Sequence, residues 1–224
     1  LFVADIIMLF STMTRGAFIS LMVGLLYMAW ACRRDLNFMK LVAYASAFVT
    51  LIFFTDLFVA RYTISGSLFG RILGTTFESG FVPDTRVIAW GEALKRGLEH
   101  PIIGNGPGWD FTKAFETGVW PHSLYLFYFN VSGLFGLCAF FFLLWRLWRA
   151  STVSRGDSVA QSAYPRALLI ILNVSLLIFI VDQIKIDYPR NELYGYFVWS
   201  IFGLIAAARN LAVKRERARP QPGP

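Results

Sequence analysis

The chain has 224 residues, of which 56% are hydrophobic, 17% aromatic and only 16% charged, with a net charge of +7. A soluble domain carries about 25% charged and about 45–50% apolar residues; here the apolar excess is gathered into blocks nearly free of charge, which excludes a soluble globular enzyme. The two cysteines, Cys32 and Cys138, exclude a disulfide scaffold and sit in or beside apolar blocks, as small buried hydrophobes do.

The row opens at Leu1 inside an apolar run to about Thr12, without an initiator Met. It therefore reads as the C-terminal part of a longer polytopic membrane protein. Arg15 follows in Thr12-Met13-Thr14-Arg15-Gly16. The next apolar run, Ala17 to Cys32, has only 16 residues, about 24 Å of helix. That shortness draws Arg15 down to the membrane interface, where a guanidinium meets phosphates in planar, bidentate fashion; a snorkelling helix anchor is the plainer role. Arg33 and Arg34 close this run, and a third, Phe38 to Ala60, carries Asp56 near its end. An ionisable residue there faces a polar cavity or pairs with Arg61.

The segment from Arg61 to Pro121 is the one connection with room for chemistry. Asp84 or Thr85 caps a helix running to about Glu99, with Val87, Trp90, Leu94 and Leu98 along one face at helical spacing. Arg86 falls in its first turn, a poor place for a cation without an anionic partner. That partner is either Asp84 or a substrate phosphate. His100 reads as a helix-end residue rather than a catalytic one, and Pro101 stops the helix. Gly104-Asn105-Gly106-Pro107-Gly108 is a tight turn that lets backbone pass close to a neighbour or ligand; no strand precedes it, so a dinucleotide loop does not fit. Trp90, Trp109 and Trp120 mark the segment as ordered rather than disordered.

A fourth run, His122 to Trp145, places His122 at a helix N-terminus. The positive helix end favours neutral imidazole, suited to act as a base or hydrogen-bond partner, though an interfacial structural His is equally plausible. The triplet Asn130-Val131-Ser132 matches a glycosylation acceptor but falls inside this run, out of reach. Ala167 to about Val181 is the fifth run, with Asp182 at its end beside Lys185. Leu193 to Ala208 is the sixth, followed by a basic tail whose end, Lys214–Pro224, reads as disordered and attracted to anionic lipid headgroups.

The charged connections alternate. Arg33–Lys40, Arg146–Arg166 and the tail together hold 12 basic and 3 acidic residues, whereas the rest of the chain holds 9 and 11. Basic loops stay on the cytoplasmic side, so the expected topology puts these inside, and Thr14–Gly16, Arg61–Pro121 and Gln183–Glu192 outside. The +7 is thus a topology signal and not a mark of nucleic-acid binding. The fold class expected is an all-α integral membrane protein: a multi-span helical bundle forming one transmembrane domain over 1–224, with a large, partly helical periplasmic loop at 61–121 and a cytoplasmic tail at 210–224. No residue cluster has metal-ligand spacing and no nucleophilic serine elbow appears, so neither metal nor cofactor is expected.

Three groups of residues carry a resemblance: Thr14-Arg15-Gly16-Ala17 before a span; Arg86 with Trp90, then His100-Pro101-Ile102-Ile103-Gly104-Asn105-Gly106; and His122-Ser123-Leu124-Tyr125-Leu126 with Gly133 and Gly136 in the same helix. In that order, over about residues 8–150, they resemble the core of the O-antigen ligase family, which includes polysaccharide polymerases. That family often has Ser where Thr14 stands and Asn where Ser123 stands; both replacements keep a hydrogen-bonding side chain. The resemblance implies a glycosyltransferase of the bacterial inner membrane that moves a glycan from an undecaprenyl-pyrophosphate carrier to an acceptor hydroxyl on the periplasmic side, without metal or nucleotide sugar. It implies that Arg15 and Arg86 hold the carrier pyrophosphate, and that His122 orients or activates the acceptor or assists the pyrophosphate. The partners implied are the lipid-linked glycan, a glycan or lipid-linked acceptor and membrane lipids. A repeat-unit polymerase of the same family shares the donor chemistry. A solute transporter would gather its polar residues near the bilayer midplane, whereas here they lie at the outer interface and in the loop. A scaffold subunit leaves the Arg/His set unexplained.

Overall fold

The computed structural model describes residues 15–32, scattered helical positions between 44 and 61, and residues 84–107, 122–152, 163–185 and 192–217. The expected run Leu1 to Thr12, most of Phe38 to Ala60, and Trp109 and Trp120 lie outside the described residues. Among those described, every regular element is a helix: α1 Arg15–Cys32, α2 Asp84–Gly97, α3 Leu124–Ser151, α4 Ala163–Asp182 and α5 Glu192–Arg217. The chain divides into two compact units, one of Leu1–Glu92 with Phe111–Pro121 and one of Ala93–Asp110 with His122–Pro224.

In the first unit, α1 is apolar around its whole circumference, the pattern of a helix that does not meet water on one side. Its large side chains remain uncovered, Leu26 and Trp30 among them, with Trp30 stacked on Tyr27 at a centroid distance of 5.7 Å. Further along, Thr55 Oγ1 donates to the Leu51 carbonyl at 2.7 Å, and Asp56 is buried.

The second unit is built on α3, α4 and α5. Phe140, Leu144 and Leu147 from α3, Leu172, Leu176 and Phe179 from α4, and Val198, Phe202 and Ile205 from α5 form its core, with Leu124 joining them. The positions recur every three or four residues along each helix, so each contributes one stripe. Phe179 meets Phe202 edge-on at 5.6 Å. Asn173 Nδ2 donates to Ser151 Oγ at 2.6 Å, which pins the end of α3 to the middle of α4.

Four expectations change. First, the run His122 to Trp145 is not one straight span. Gly133 takes non-helical angles, φ 62° and ψ −163°, inside α3. Tyr125 stacks on Phe141 at 5.3 Å and Tyr128 on Phe140 at 4.5 Å, although residues 125 and 141 would stand about 24 Å apart in a straight helix. The arms 124–132 and 134–151 are therefore folded back on each other at Gly133. By length and composition Leu124–Ser151 is the one described helix that could cross a membrane, and Ile19–Cys32 is a shorter apolar helix; the reversal at Gly133 leaves 134–151 as the longer straight arm of the former.

Second, Cys138 is exposed rather than buried, because the core stripe of the longer arm runs through Phe140, Leu144 and Leu147. Third, α5 continues past Ala208 to Arg217, so the basic tail begins as helix and not as disordered chain. Fourth, the apolar face read on α2 is not its packing face: of Val87, Trp90, Leu94 and Leu98 only Trp90 is half-buried and the others are exposed, while Ala89 and Ala93 are fully buried. Small residues at a spacing of four make the closer-packing face, and the large apolar side chains point elsewhere.

Candidate active site

The second unit joins two of the sequence motifs into one arrangement. The last turn of α2 brings Gly97 against the ring of Phe129, where a Cβ would collide with it. Asn130, fully buried, donates through Nδ2 to the Ala93 carbonyl at 3.0 Å and to the Leu126 carbonyl at 2.8 Å. Lys95 and Arg96 lie in this turn, where cations complement the helix C-terminus, and Arg96 pairs with Glu99 at 3.2 Å.

The loop after α2 then enters the break in α3. In an unbroken helix, Leu134 N–H would donate to the Asn130 carbonyl and Phe135 N–H to that of Val131. Here those four groups turn to the loop. Leu134 N–H donates to Pro101 O at 2.8 Å and Phe135 N–H to Ile102 O at 3.1 Å. Asn130 O accepts from Asn105 N–H at 2.8 Å, and Val131 O from Gly106 N–H at 2.9 Å. Asn105 Nδ2 adds a bond to Asn130 O at 3.1 Å. The loop itself is closed by Gly104 N–H on the His100 carbonyl at 2.9 Å. Gly104 and Gly106 have φ of 70° and 88°; a Cβ on Gly104 would meet the backbone of Val131 and Ser132. The predicted tight turn is therefore a close backbone approach, and its target is the break at Gly133.

His122 lies just before α3. It is exposed and has φ 45°, the only non-glycine positive φ among the described residues. Histidine tolerates this region better than most residues. Ser123 takes the N-cap position with φ −141° and ψ 120°, is 4% exposed, and makes no side-chain cap bond. The first N–H of the helix, that of Leu124, instead donates to the Gln183 carbonyl at 3.1 Å, and Tyr125 Oη donates to the Ile180 carbonyl at 2.7 Å. The end of α4 thus fixes the start of α3, and with it the place of His122.

Arg15 is the first residue of α1 and Arg86 falls in the first turn of α2; both belong to the first unit, and their side chains lie outside the described set. His122 belongs to the second unit. His100 is exposed in the turn after α2, where its backbone carbonyl has a structural role. Asp56 and Asp182 are both buried. A groove between α4 and α5, lined by Phe179, Tyr194, Phe197, Val198 and Phe202, contains none of the candidate residues.

Sequence reasoning missed Asn130 as an organising residue, having read it only as part of a glycosylation triplet. The available signal was an amide inside an apolar run, which must find partners. It also missed Gln183, for which one polar residue at a helix end gave no distinguishing mark.

A family model described as O-antigen ligase matches residues 1–141, a stretch that holds Arg15, Arg86, His100–Gly106, His122 and Gly133. The chain belongs to the O-antigen ligase family. It is a membrane-integral, glycosyltransferase-like family of ligases and polymerases in polysaccharide and lipopolysaccharide biosynthesis, acting on lipid-linked glycans. No curated protein and no solved structure matches the chain. In this O-antigen ligase family member the His100–Gly106 loop docks onto the helix that follows His122.

Proposed function

We propose that this O-antigen ligase family member is a metal-independent glycosyltransferase. It takes a glycan from an undecaprenyl-pyrophosphate carrier and transfers it to an acceptor hydroxyl on the periplasmic side of the bacterial inner membrane. The observation that carries this reading is the family match over residues 1–141, which contains all three candidate residues. In the transfer, the bond between the anomeric carbon and the pyrophosphate oxygen breaks as a new bond forms to the acceptor oxygen. The pyrophosphate leaves with the electron pair and stays on its lipid. Arg15 and Arg86 stabilise that growing negative charge, for which a guanidinium is suited by its planar set of donors. His122 takes the proton of the acceptor hydroxyl, as an imidazole acting as general base does. No nucleotide is needed, because the donor arrives already activated by its pyrophosphate.

The test is transfer by purified full-length protein, supplied with a lipid-pyrophosphate-linked oligosaccharide and a glycan acceptor in the presence of a chelator. Glycan transfer and release of carrier pyrophosphate are expected. Arg15→Ala, Arg86→Ala and His122→Ala should each lower the rate by about 100-fold or more while leaving membrane insertion intact. Full activity in all three variants would refute the site assignment.

A further inference from the structure

The tip where the loop enters the break in α3 carries an apolar cluster that is left uncovered. Phe135 N–H on Ile102 O and Leu134 N–H on Pro101 O set these residues side by side, and Gly133 lies against the backbone of Ile102 and Ile103. Phe135 is 78% exposed and Ile103 76%, with Ile102 and Leu134 exposed beside them. Exposed Lys95 and His100 and the Arg96–Glu99 pair stand on the turn that leads into this tip. Large apolar side chains gathered together with a polar rim mark a surface that meets something other than water.

Two observations say what it meets. The first is the backbone. An irregular loop in water can leave its polar groups to solvent, whereas next to lipid it cannot. Here the four bonds across the break, with Gly104 N–H on the His100 carbonyl, pair groups that a broken helix would otherwise expose. The second is length. From Leu134 to Arg149 the longer arm of α3 rises about 22 Å, against about 30 Å of hydrocarbon in a bilayer. Arg146 and Arg149 are exposed, and their long stems let the guanidinium groups reach one set of headgroups. The arm is then too short to lift Leu134 and Phe135 clear of the opposite leaflet.

We infer that Ile102, Ile103, Leu134 and Phe135 form a lipid anchor, seated at the boundary of acyl chains and headgroups in the leaflet opposite Arg146 and Arg149. Arg96 and Glu99 offset each other, so apolar burial drives the contact more than attraction to anionic lipid does. The anchor holds the His100–Gly106 loop at the membrane surface, where the lipid-linked glycans used by this family present their head groups. It stands apart from the roles proposed for Arg15, Arg86 and His122, and its test needs no transfer reaction.

The experiment is spin labelling of the full-length protein in vesicles of phosphatidylethanolamine and phosphatidylglycerol, with Cys32→Ser and Cys138→Ser removing the native thiols. A label is attached through Ile103→Cys or Phe135→Cys. Phe142→Cys, exposed midway along the arm, is the lipid reference, and Lys214→Cys, exposed near the charged end of α5, is the water reference. Relative to a water-soluble nickel chelate, both tip labels should meet dissolved oxygen severalfold more often than the label at position 214 does. A ratio equal to that at position 214 overturns the inference, and so do tip labels shielded from both reagents, since protein would then cover the tip. The unmodified protein gives a second reading. A phosphatidylethanolamine with a diazirine near the start of its acyl chain should photolabel the peptide that contains Ile102 and Ile103. Labelling of the Phe142 peptide without that of Ile102 and Ile103 overturns the inference as well.

Discussion

At Gly133 two hydrogen bonds of a helix are exchanged for four backbone bonds to a loop, and the exchange needs a residue without a side chain. Its φ of 62° lies in the left-handed region, and a Cβ there would run into the Ile102 carbonyl. Both the conformation and the space demand glycine. Gly133→Ala should therefore destabilise the protein by more than about 2 kcal/mol, read as a fall in the unfolding temperature in detergent. Gly106→Ala is the control. Its φ is 88° but a Cβ there meets nothing within 4 Å, so it pays only the conformational cost of about 1–2 kcal/mol. Equal losses at the two positions would mean that the contact with Ile102 does not shape the break. The sequence showed a glycine here but not its conformation. Gly133 and Gly136 read equally well as helix-packing glycines in an apolar run, and only the loop that enters the break tells them apart.

Among the elements, α2 is where large apolar residues misled. Val87, Leu94 and Leu98 recur at helical spacing, which located the helix correctly, yet they are exposed while Ala89, Ala93 and Gly97 are covered. Hydrophobic periodicity finds a helix because it counts large side chains; it misplaces the packing face when that face is selected for closeness. The contact of Gly97 with Phe129 and the bond from Asn130 to Ala93 O both need the helix backbone near. Gly97→Ala should accordingly cost about 1–3 kcal/mol by displacing the Phe129 ring. Leu98→Ala, at 59% exposed, should change stability by less than about 0.5 kcal/mol. Chemical or thermal unfolding of the two variants checks this, and a larger loss from Leu98→Ala would restore the face that the sequence suggested. α3 gave the reverse difficulty. Its run of apolar residues from His122 to Trp145 has the length of a span, and nothing in composition marks a reversal of direction. The stacking of Tyr125 on Phe141 is a long-range fact that periodicity does not carry.

For the whole molecule, the helical class and the family are both legible in the sequence. Apolar blocks punctuated by basic stretches specify helices, and the order of the Arg15, Arg86, His100–Gly106 and His122 motifs specified the O-antigen ligase family that the match over residues 1–141 shows. What remained illegible was how the motifs meet. The His100–Gly106 loop and the helix after His122 are joined through backbone groups, and backbone pairing leaves little trace in side-chain identity. The two histidines now divide by role. His100 lends a backbone carbonyl to the loop, which any residue supplies, whereas His122 stands exposed at the fixed start of α3. The most direct test compares His100→Ala with His122→Ala in chelator-resistant transfer from a lipid-pyrophosphate-linked oligosaccharide. The account predicts near wild-type transfer for His100→Ala and a loss of about 100-fold or more for His122→Ala. Loss in His100→Ala with activity retained in His122→Ala would contradict it.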